Sequence, residues 1–450
     1  MNHSKIRLSD HFTYKKLFLF TLPSIVMMIF TSIYGVVDGI FVSNFIGTSA
    51  FSAINLIWPF IMILGAFGFM FGAGGSALVS KTLGEGDKEK ANRIFSFLTY
   101  FSFALGIVIA VLGYIFLPNI AELLVTKSEE NREILIKHCT TYGRILLIAL
   151  PVYMLQMEFQ SFFVTAEKPT LGLIVTVISG LTNMILDALF IAVFKWGVIG
   201  AAWATAASQI VGGIIPLFYF FGKNKSLLRL GKARFDLKAL WKTCTNGSSE
   251  LMANVSMPLV GMLYNWQLMR IEGEEGVAAY GVLMYVCMIF LAIFIGYSVG
   301  SAPIVGFHYG AQHHDELKNI LKKSLILIGV SSVCMCLLSE ALAVPLSLLF
   351  DGGNARVYEL TRRGFLIYSF SYLFAGFAIY GSSFFTALND GVTSAIISFL
   401  RTLVFQVAAV LLLPYLMGMD GIWLSVILAE FMAVACTFLF LLIKRKKYKY

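Results

Sequence analysis

Charge is scarce in this sequence: Asp, Glu, Lys and Arg make up 13% of its 450 residues, while 58% are hydrophobic. Soluble domains carry about 25% charged residues and 45–50% apolar ones, so a soluble globular fold is excluded and a polytopic membrane protein is expected. No GxxxxGK[ST] phosphate loop occurs, which excludes direct ATP drive of that type within the chain. The six cysteines (Cys139, Cys244, Cys287, Cys334, Cys336 and Cys436) show no metal-ligand spacing. All six read as buried small hydrophobes. No cleavable leader is expected either: the apolar run after MNHSKIRLSDHFTYKK is too long for a signal core and lacks a small-residue cleavage site, so it should remain as the first spanning helix. The formal charge of +9 lies between apolar spans rather than on one soluble face, which argues for membrane topology and against nucleic acid.

What is present is a series of long apolar runs. The first, Leu17 to Gly47, is long enough to cross the ~30 Å hydrocarbon core, yet it contains Asp38. A carboxylate there costs about 2.5–3.5 kcal/mol on insertion scales, so Asp38 faces protein or water and is the first functional candidate. Thr31, Tyr34 and Phe41 share its helix side, giving a partly polar, aromatic stripe suited to line a cavity. Gly35 and Gly39 form a GxxxG pair expected to admit a neighbouring helix, and Pro23 invites a kink. The alternative is a buried, hydrogen-bonded structural carboxylate.

Twelve spans are expected, near residues 15–44, 50–80, 94–118, 137–163, 170–194, 198–222, 243–270, 277–307, 319–350, 362–388, 393–416 and 421–443. Lys5, Arg7, Lys15, Lys16, Lys81, Lys88, Lys90, Arg93, the seven basic residues of Lys223 to Lys242, Lys318, Lys322, Lys323 and the closing KRKKYK fall on one side. Fewer, among them Lys127, Arg132, Arg270 and Arg356, fall on the other, so both termini are expected in the cytoplasm of a cell with a multi-pass protein in its plasma or inner membrane. The polar stretch Gly222 to Thr243 divides the spans six and six. SFFVTAEKP from Ser161 matches SFFTALNDG from Ser383, and GVIGAAWAT from Gly197 resembles GMDGIWLSV from Gly418. These repeats predict an all-α protein with two six-helix lobes, residues 1–222 and 243–450, joined by a cytoplasmic linker 223–242 and related by a pseudo-twofold axis along the membrane normal.

Other motifs carry less chemistry. Glycines of GAGG at Gly72 to Gly75 read as packing, His308, His313 and His314 as a solvated loop, and NGS at Asn246 as a chance match to a glycosylation signal. Eighteen Met and a 14% aromatic share suit a pocket for varied flat cations, though no single aromatic stands out. Intramembrane Glu158, Glu250, Glu340, Arg401 and Glu430 remain. Glu158 precedes a cytoplasmic loop where exported cations would arrive; Arg401 and Glu430 sit on the last two spans and could pair. Asn183 and Asp187 are four residues apart on one helix face. With Asp38 they would put two carboxylates and an amide inside one lobe, a set able to exchange a proton or bind sodium, or to satisfy itself as a structural trio.

The first-span segment LPS…IYGVVDGIFVSNFIG, GGSALVSKTLGEGDKEKA, TAEKP, NMILDALF and GAAWATAAS together resemble the multidrug and toxic compound extrusion (MATE) family of cation-coupled exporters over nearly the whole chain. The resemblance implies a secondary active antiporter, not an enzyme, that exports small organic, cationic substrates against H+ or Na+ without a cofactor, working as a monomer in the lipid bilayer. It implies a coupling-cation site at Asp38, Asn183, Asp187 and Thr205. Tyr34, Glu158 and Glu250 are further candidates for substrate or for a C-lobe cation; the aspartate that partners Glu250 in some relatives is absent from the tenth span. In the repeat alignment Tyr264 and Asn265 replace Asp38. A flippase for lipid-linked saccharide is the alternative, although the acidic intramembrane charges favour cationic cargo.

Overall fold

The computed structural model describes residues 6–125, 131–350 and 354–450; Lys5 and Lys127 lie outside them. The described residues form twelve long helices and no strand: α1 Tyr14–Phe45, α2 Thr48–Gly84, α3 Lys88–Leu124, α4 Arg132–Thr165, α5 Pro169–Val193, α6 Gly197–Phe221, α7 Leu237–Ile271, α8 Glu274–Gly310, α9 His314–Phe350, α10 Ala355–Ala387, α11 Gly391–Met417 and α12 Met419–Tyr448. Eleven are both long and apolar enough to cross a bilayer. The other is α7, whose 35 residues suffice in length but open with the polar run LKALWKTCTNGSSE. Several helices start before the apolar spans, as α9 does at His314. Their charged first turns are amphipathic and continue the backbone ladder beyond the hydrocarbon.

The internal repeat is written into the turns. Glu167 before α5 and Asn389 before α11 both adopt left-handed backbone, with φ of 56° and 58°. They are the matched positions of SFFVTAEKP and SFFTALNDG. Gly197 and Gly418, matched in the second pair of motifs, have φ of 57° and 59°; only glycine enters this region without a Cβ penalty. Both fifth helices of the repeats also contain a π turn, Ala188–Val193 in α5 and Leu400–Val404 in α11.

By packing, the chain forms two compact units, Phe30–Gly247 and the described residues through Ile29 with Ser248–Tyr450. The boundaries fall inside α1 and inside α7. In the Phe30–Gly247 unit, α4 is central and buried on most sides, its polar Gln156, Glu158 and Gln160 included. Gly65, Gly68 and Gly72 of α2 let the backbone or rings of Tyr153, Met154 and Glu158 approach, and Gly213 of α6 does the same for Val152. Gly74 receives the first turns of α7 at Thr243 and Gly247. The segment after α6 is tied to α3: Arg229 N donates to Asn92 Oδ1 (2.6 Å) and Gly231 N to Ser96 Oγ (3.0 Å), while Leu228 and Leu230 are buried.

The other unit repeats the device with different residues. Gly296 and Gly300 of α8 receive Ser24, Ile25 and Thr21 of the first half of α1. Ahead of α1, Glu316 accepts from the Phe12 amide (2.9 Å) and pairs with His11 (2.6 Å), and Leu8 and Phe12 are fully buried. This strap corrects the reading of His308 as part of a solvated loop. The residue lies in the last turn of α8, is 2% exposed and stands edge-on to Phe12. Two further readings are corrected. Cys334 is exposed, on the side of α9 it shares with exposed Val330 and Leu337, while Cys139, Cys287 and Cys336 are buried and Cys244 and Cys436 half-buried. Around Gly35 a Cβ would meet nothing within 4 Å; the close approach on α1 is made instead at Gly180 of α5, against Phe30 and Tyr34. The Gly72–Gly75 run does serve packing, and Asn246 is fully buried within α7.

Candidate functional site

Asp38 stands in the second half of α1, two turns beyond the change of unit at Ile29 and Phe30. Four-residue spacing turns Asn183 and Asp187 of α5 to one side, and both are buried, at 2% and 0% exposure. The Asp38 carboxyl lies within electrostatic reach of both. Thr205 reaches the same place from α6, as its proximity to Tyr142, itself beside Asp38 and Asp187, shows. The sequence-derived quartet is therefore assembled within one unit from three helices.

Its hydrogen bonding is incomplete. Asp38 Oδ1, Asn183 Nδ2, both Asp187 oxygens and Thr205 Oγ1 are buried atoms that stand near one another but make no hydrogen bond of ordinary geometry among the described residues. An unsatisfied buried polar atom costs about 1–3 kcal/mol, so five in one place mark a site built for something other than its own residues. All of them except the amide nitrogen are oxygens, the donor type that hard cations and protons select. Two carboxylates facing each other in a low-dielectric interior repel unless a cation or proton is shared between them.

The α4 helix supplies residues that sequence reasoning did not single out. Tyr142, 1% exposed, faces Asp38, Thr205 and Asp187. Three turns on, Tyr153 adjoins Tyr34 and contacts Met62 Sδ at 3.7 Å. Next on that side, Gln156 Nε2 donates to Ser179 Oγ (3.2 Å), Ser179 Oγ donates to the Ser208 carbonyl (2.7 Å), and Ser208 Oγ donates to the Thr205 carbonyl (2.8 Å). This chain fixes α4, α5 and α6 around the site. A signal existed: Tyr142, Tyr153 and Gln156 recur at 11 and 3 residues, one stripe of a 3.6-residue helix.

Tyr34 lines this region, packed with Phe30 (ring centroids 5.9 Å) over Gly180. Glu158 does not join it. Two residues beyond Gln156 is roughly 200° around the helix, and Glu158 is fully buried toward α2 and α3, accepting from Thr99 Oγ1 at 3.2 Å with Oε2 unpartnered.

Glu250 belongs to the other unit, where it faces Arg401. The Arg401 Nε is 2.8 and 3.1 Å from the two oxygens of Glu430. Nearby, Tyr264 donates to Gln406 Oε1 (2.8 Å) and lies 2.9 Å from Ser425 Oγ, so the position matched to Asp38 holds a satisfied tyrosine. Glu340 accepts from Ser369. Among the described residues no group of three or more His, Cys, Asp or Glu is arranged to hold a metal ion.

A family model described as MatE matches residues 23–189 and 251–411. The chain is 26% identical over 433 residues, 95% of its length, to 92% of the multidrug export protein MepA of Staphylococcus haemolyticus. To the protein of that name from Staphylococcus aureus it is 23% identical over 442 residues, covering 96% of this chain and 94% of that one. Among solved structures it is similar to MATE in complex with MaL6, with TM-score 0.92, 20% identity and full coverage of both chains. It is also similar to the outward-facing conformation of a multidrug resistance MATE family transporter, with TM-score 0.90, 20% identity and coverage of 100% and 99%.

Proposed function

Because the chain belongs to the MatE family, the multidrug and toxic compound extrusion transporters, we propose that it is a secondary active multidrug exporter exchanging small organic cations for H+ or Na+ at Asp38, Asn183, Asp187 and Thr205. The observation that carries this reading is the meeting of those four side chains with five unpartnered buried polar atoms. The curated relatives named multidrug export proteins, matched over nearly their whole length, support the export of varied compounds.

Mechanistically, Asp38 and Asp187 share the incoming cation, and Tyr142 and Asn183 set its polar surroundings. Asp38 is on α1, so neutralising the carboxyl pair changes the interaction of α1 with α5 and thereby the helix that leaves one unit for the other. A cation entering down ~100 mV releases about 2.3 kcal/mol, enough for nearly a fiftyfold gradient of a neutral substrate at 1.4 kcal/mol per tenfold. A cationic substrate returns part of that and needs an added chemical gradient or more ions. Tyr34 is placed to meet the flat face of a cationic substrate, and Glu158 and Glu250 are secondary candidates. We assign the repeats 1–222 and 243–450 as the two working lobes of a monomer, joined by 223–242, with both termini cytoplasmic in the cell membrane.

The test is substrate-induced ion flux in vesicles holding the purified protein, with proton and sodium gradients imposed separately and ethidium as substrate. Flux with one ion that disappears in Asp38→Asn identifies antiport and its ion. Absence of flux with either ion in the wild-type protein overturns the reading and moves the search to lipid-linked cargo.

A further inference from the structure

The segment between α6 and α7 carries a surface that ion transport does not use. Six basic side chains, Lys223, Lys225, Arg229, Lys232, Arg234 and Lys238, are exposed there, with Asp236 the lone acid between Lys223 and Lys242. None of the six takes part in an ion pair among those found in the described residues. Beside them stand three large apolar side chains that also remain uncovered: Phe235, Leu237 and Trp241, 70%, 64% and 72% exposed.

This is a fixed platform. Leu228 and Leu230 are buried, the backbone is bonded to Asn92 and Ser96 of α3, and Tyr100 Oη donates to the Gly231 carbonyl at 3.0 Å. The Phe235 ring stands edge-on to Phe97 at 5.5 Å. Leu237 and Trp241 are four residues apart and share a helix face, whereas Ala239 and Thr243 are buried on the other. The arrangement therefore holds cations and apolar anchors outward together at a defined place.

Helix length gives that place. The 35 residues of α7 measure about 52 Å at 1.5 Å per residue, well beyond the ~30 Å hydrocarbon core. With the more apolar later residues in the hydrocarbon, the polar opening turns and the segment before them stand at headgroup depth. Tryptophan is at home in this zone, and basic segments next to the bilayer are drawn to anionic lipid. We propose that Lys223–Lys238, with Phe235, Leu237 and Trp241 as anchors, form a docking surface for anionic phospholipid headgroups of the protein's own bilayer. The surface couples the connection between α6 and α7 to the charge of the surrounding leaflet, whatever substrate is carried.

The experiment uses the full chain in neutral detergent micelles doped with brominated phosphatidylglycerol or brominated phosphatidylcholine. The Trp241 signal is taken as the fluorescence difference between wild type and Trp241→Phe. The expected result is quenching by the anionic lipid at about tenfold lower mole fraction, with that preference lost when the six basic residues are replaced by Gln. Equal quenching by both lipids, or a preference that survives the six replacements, overturns the proposal. Should the sixfold variant not fold, wild type in 0.5 M salt replaces it: the preference must collapse by screening, and its persistence there overturns the proposal equally.

Discussion

Arg401 of α11 meets Glu430 of α12 with its Nε 2.8 Å from one carboxylate oxygen and 3.1 Å from the other. A basic side chain of the protein itself thus answers Glu430 and faces Glu250 as well, while Asp38 faces Asp187 and Asn183. Both members of the pair are largely buried, with side chains 16% and 7% exposed. Removing one partner of such a pair costs about 3–5 kcal/mol, whereas replacing both by apolar residues is often near neutral. Arg401→Gln or Glu430→Gln should each lower the thermal midpoint markedly in detergent, and Arg401→Met with Glu430→Leu and Glu250→Gln, which leaves no acid behind without its cation, should recover most of it. A combined variant no better than the singles would show that the cluster has a role beyond mutual neutralisation.

At the other cluster the carboxylates are expected to be needed for coupling rather than for folding. Asp38→Asn and Asp187→Asn should each reduce gradient-driven ethidium export at least tenfold at wild-type protein levels, since each removes the charge that a proton or sodium ion would neutralise. Tyr142→Phe, which loses only a hydroxyl, should retain export with a few-fold weaker dependence on the coupling ion. Dye uptake into inverted vesicles at several ion concentrations separates the two effects; full transport by both Asn variants would sink the proposed site.

Two glycines of similar sequence context should behave oppositely. A Cβ on Gly68 would stand 2.7 Å from the Met154 carbonyl oxygen and 2.8 Å from its Cα, backbone atoms that cannot swing aside. Gly68→Val should therefore abolish the α2–α4 seam and fail to yield folded protein. Gly35 has open space around its Cβ position, so Gly35→Ala should be neutral or stabilising by up to about 1 kcal/mol from helix propensity. Yield and monodispersity in size-exclusion chromatography report both.

Asp390, in the turn before α11, gives an acid-sensitive contact. Desolvation pushes its carboxyl up, but the Tyr448 hydroxyl, Thr393 and Lys444 outweigh this and hold it below the ordinary carboxylate range; Lys444 Nζ is 3.3 Å from Oδ2. A carboxylate held lower in the folded state adds stability that is fully present above the unfolded-state value near 3.9 and is lost as pH falls through the folded-state value. Thermal midpoints from pH 6 down to pH 3 should fall less steeply in Asp390→Asn than in wild type. Parallel curves would show that the contact contributes nothing.

Much of this was open to reading along the chain. Long apolar runs separated by basic turns determine a multi-pass helical protein, because backbone in hydrocarbon must bond to itself. Matched motifs around Glu167 and Asn389, and around Gly197 and Gly418, determine the repeat, since each needs the same backbone turn. The cost of a carboxylate in an apolar run singles out Asp38, and helical spacing joins Asn183 to Asp187. Which faces meet is another matter, decided by packing between residues far apart in sequence. Only the tertiary structure brings Tyr142 to Asp38, turns Glu158 toward Thr99 instead, leaves Gly35 uncovered and passes α1 from one compact unit to the other between Ile29 and Phe30. A helix fixes the direction of its side chains about its own axis; its neighbours decide what stands in each direction.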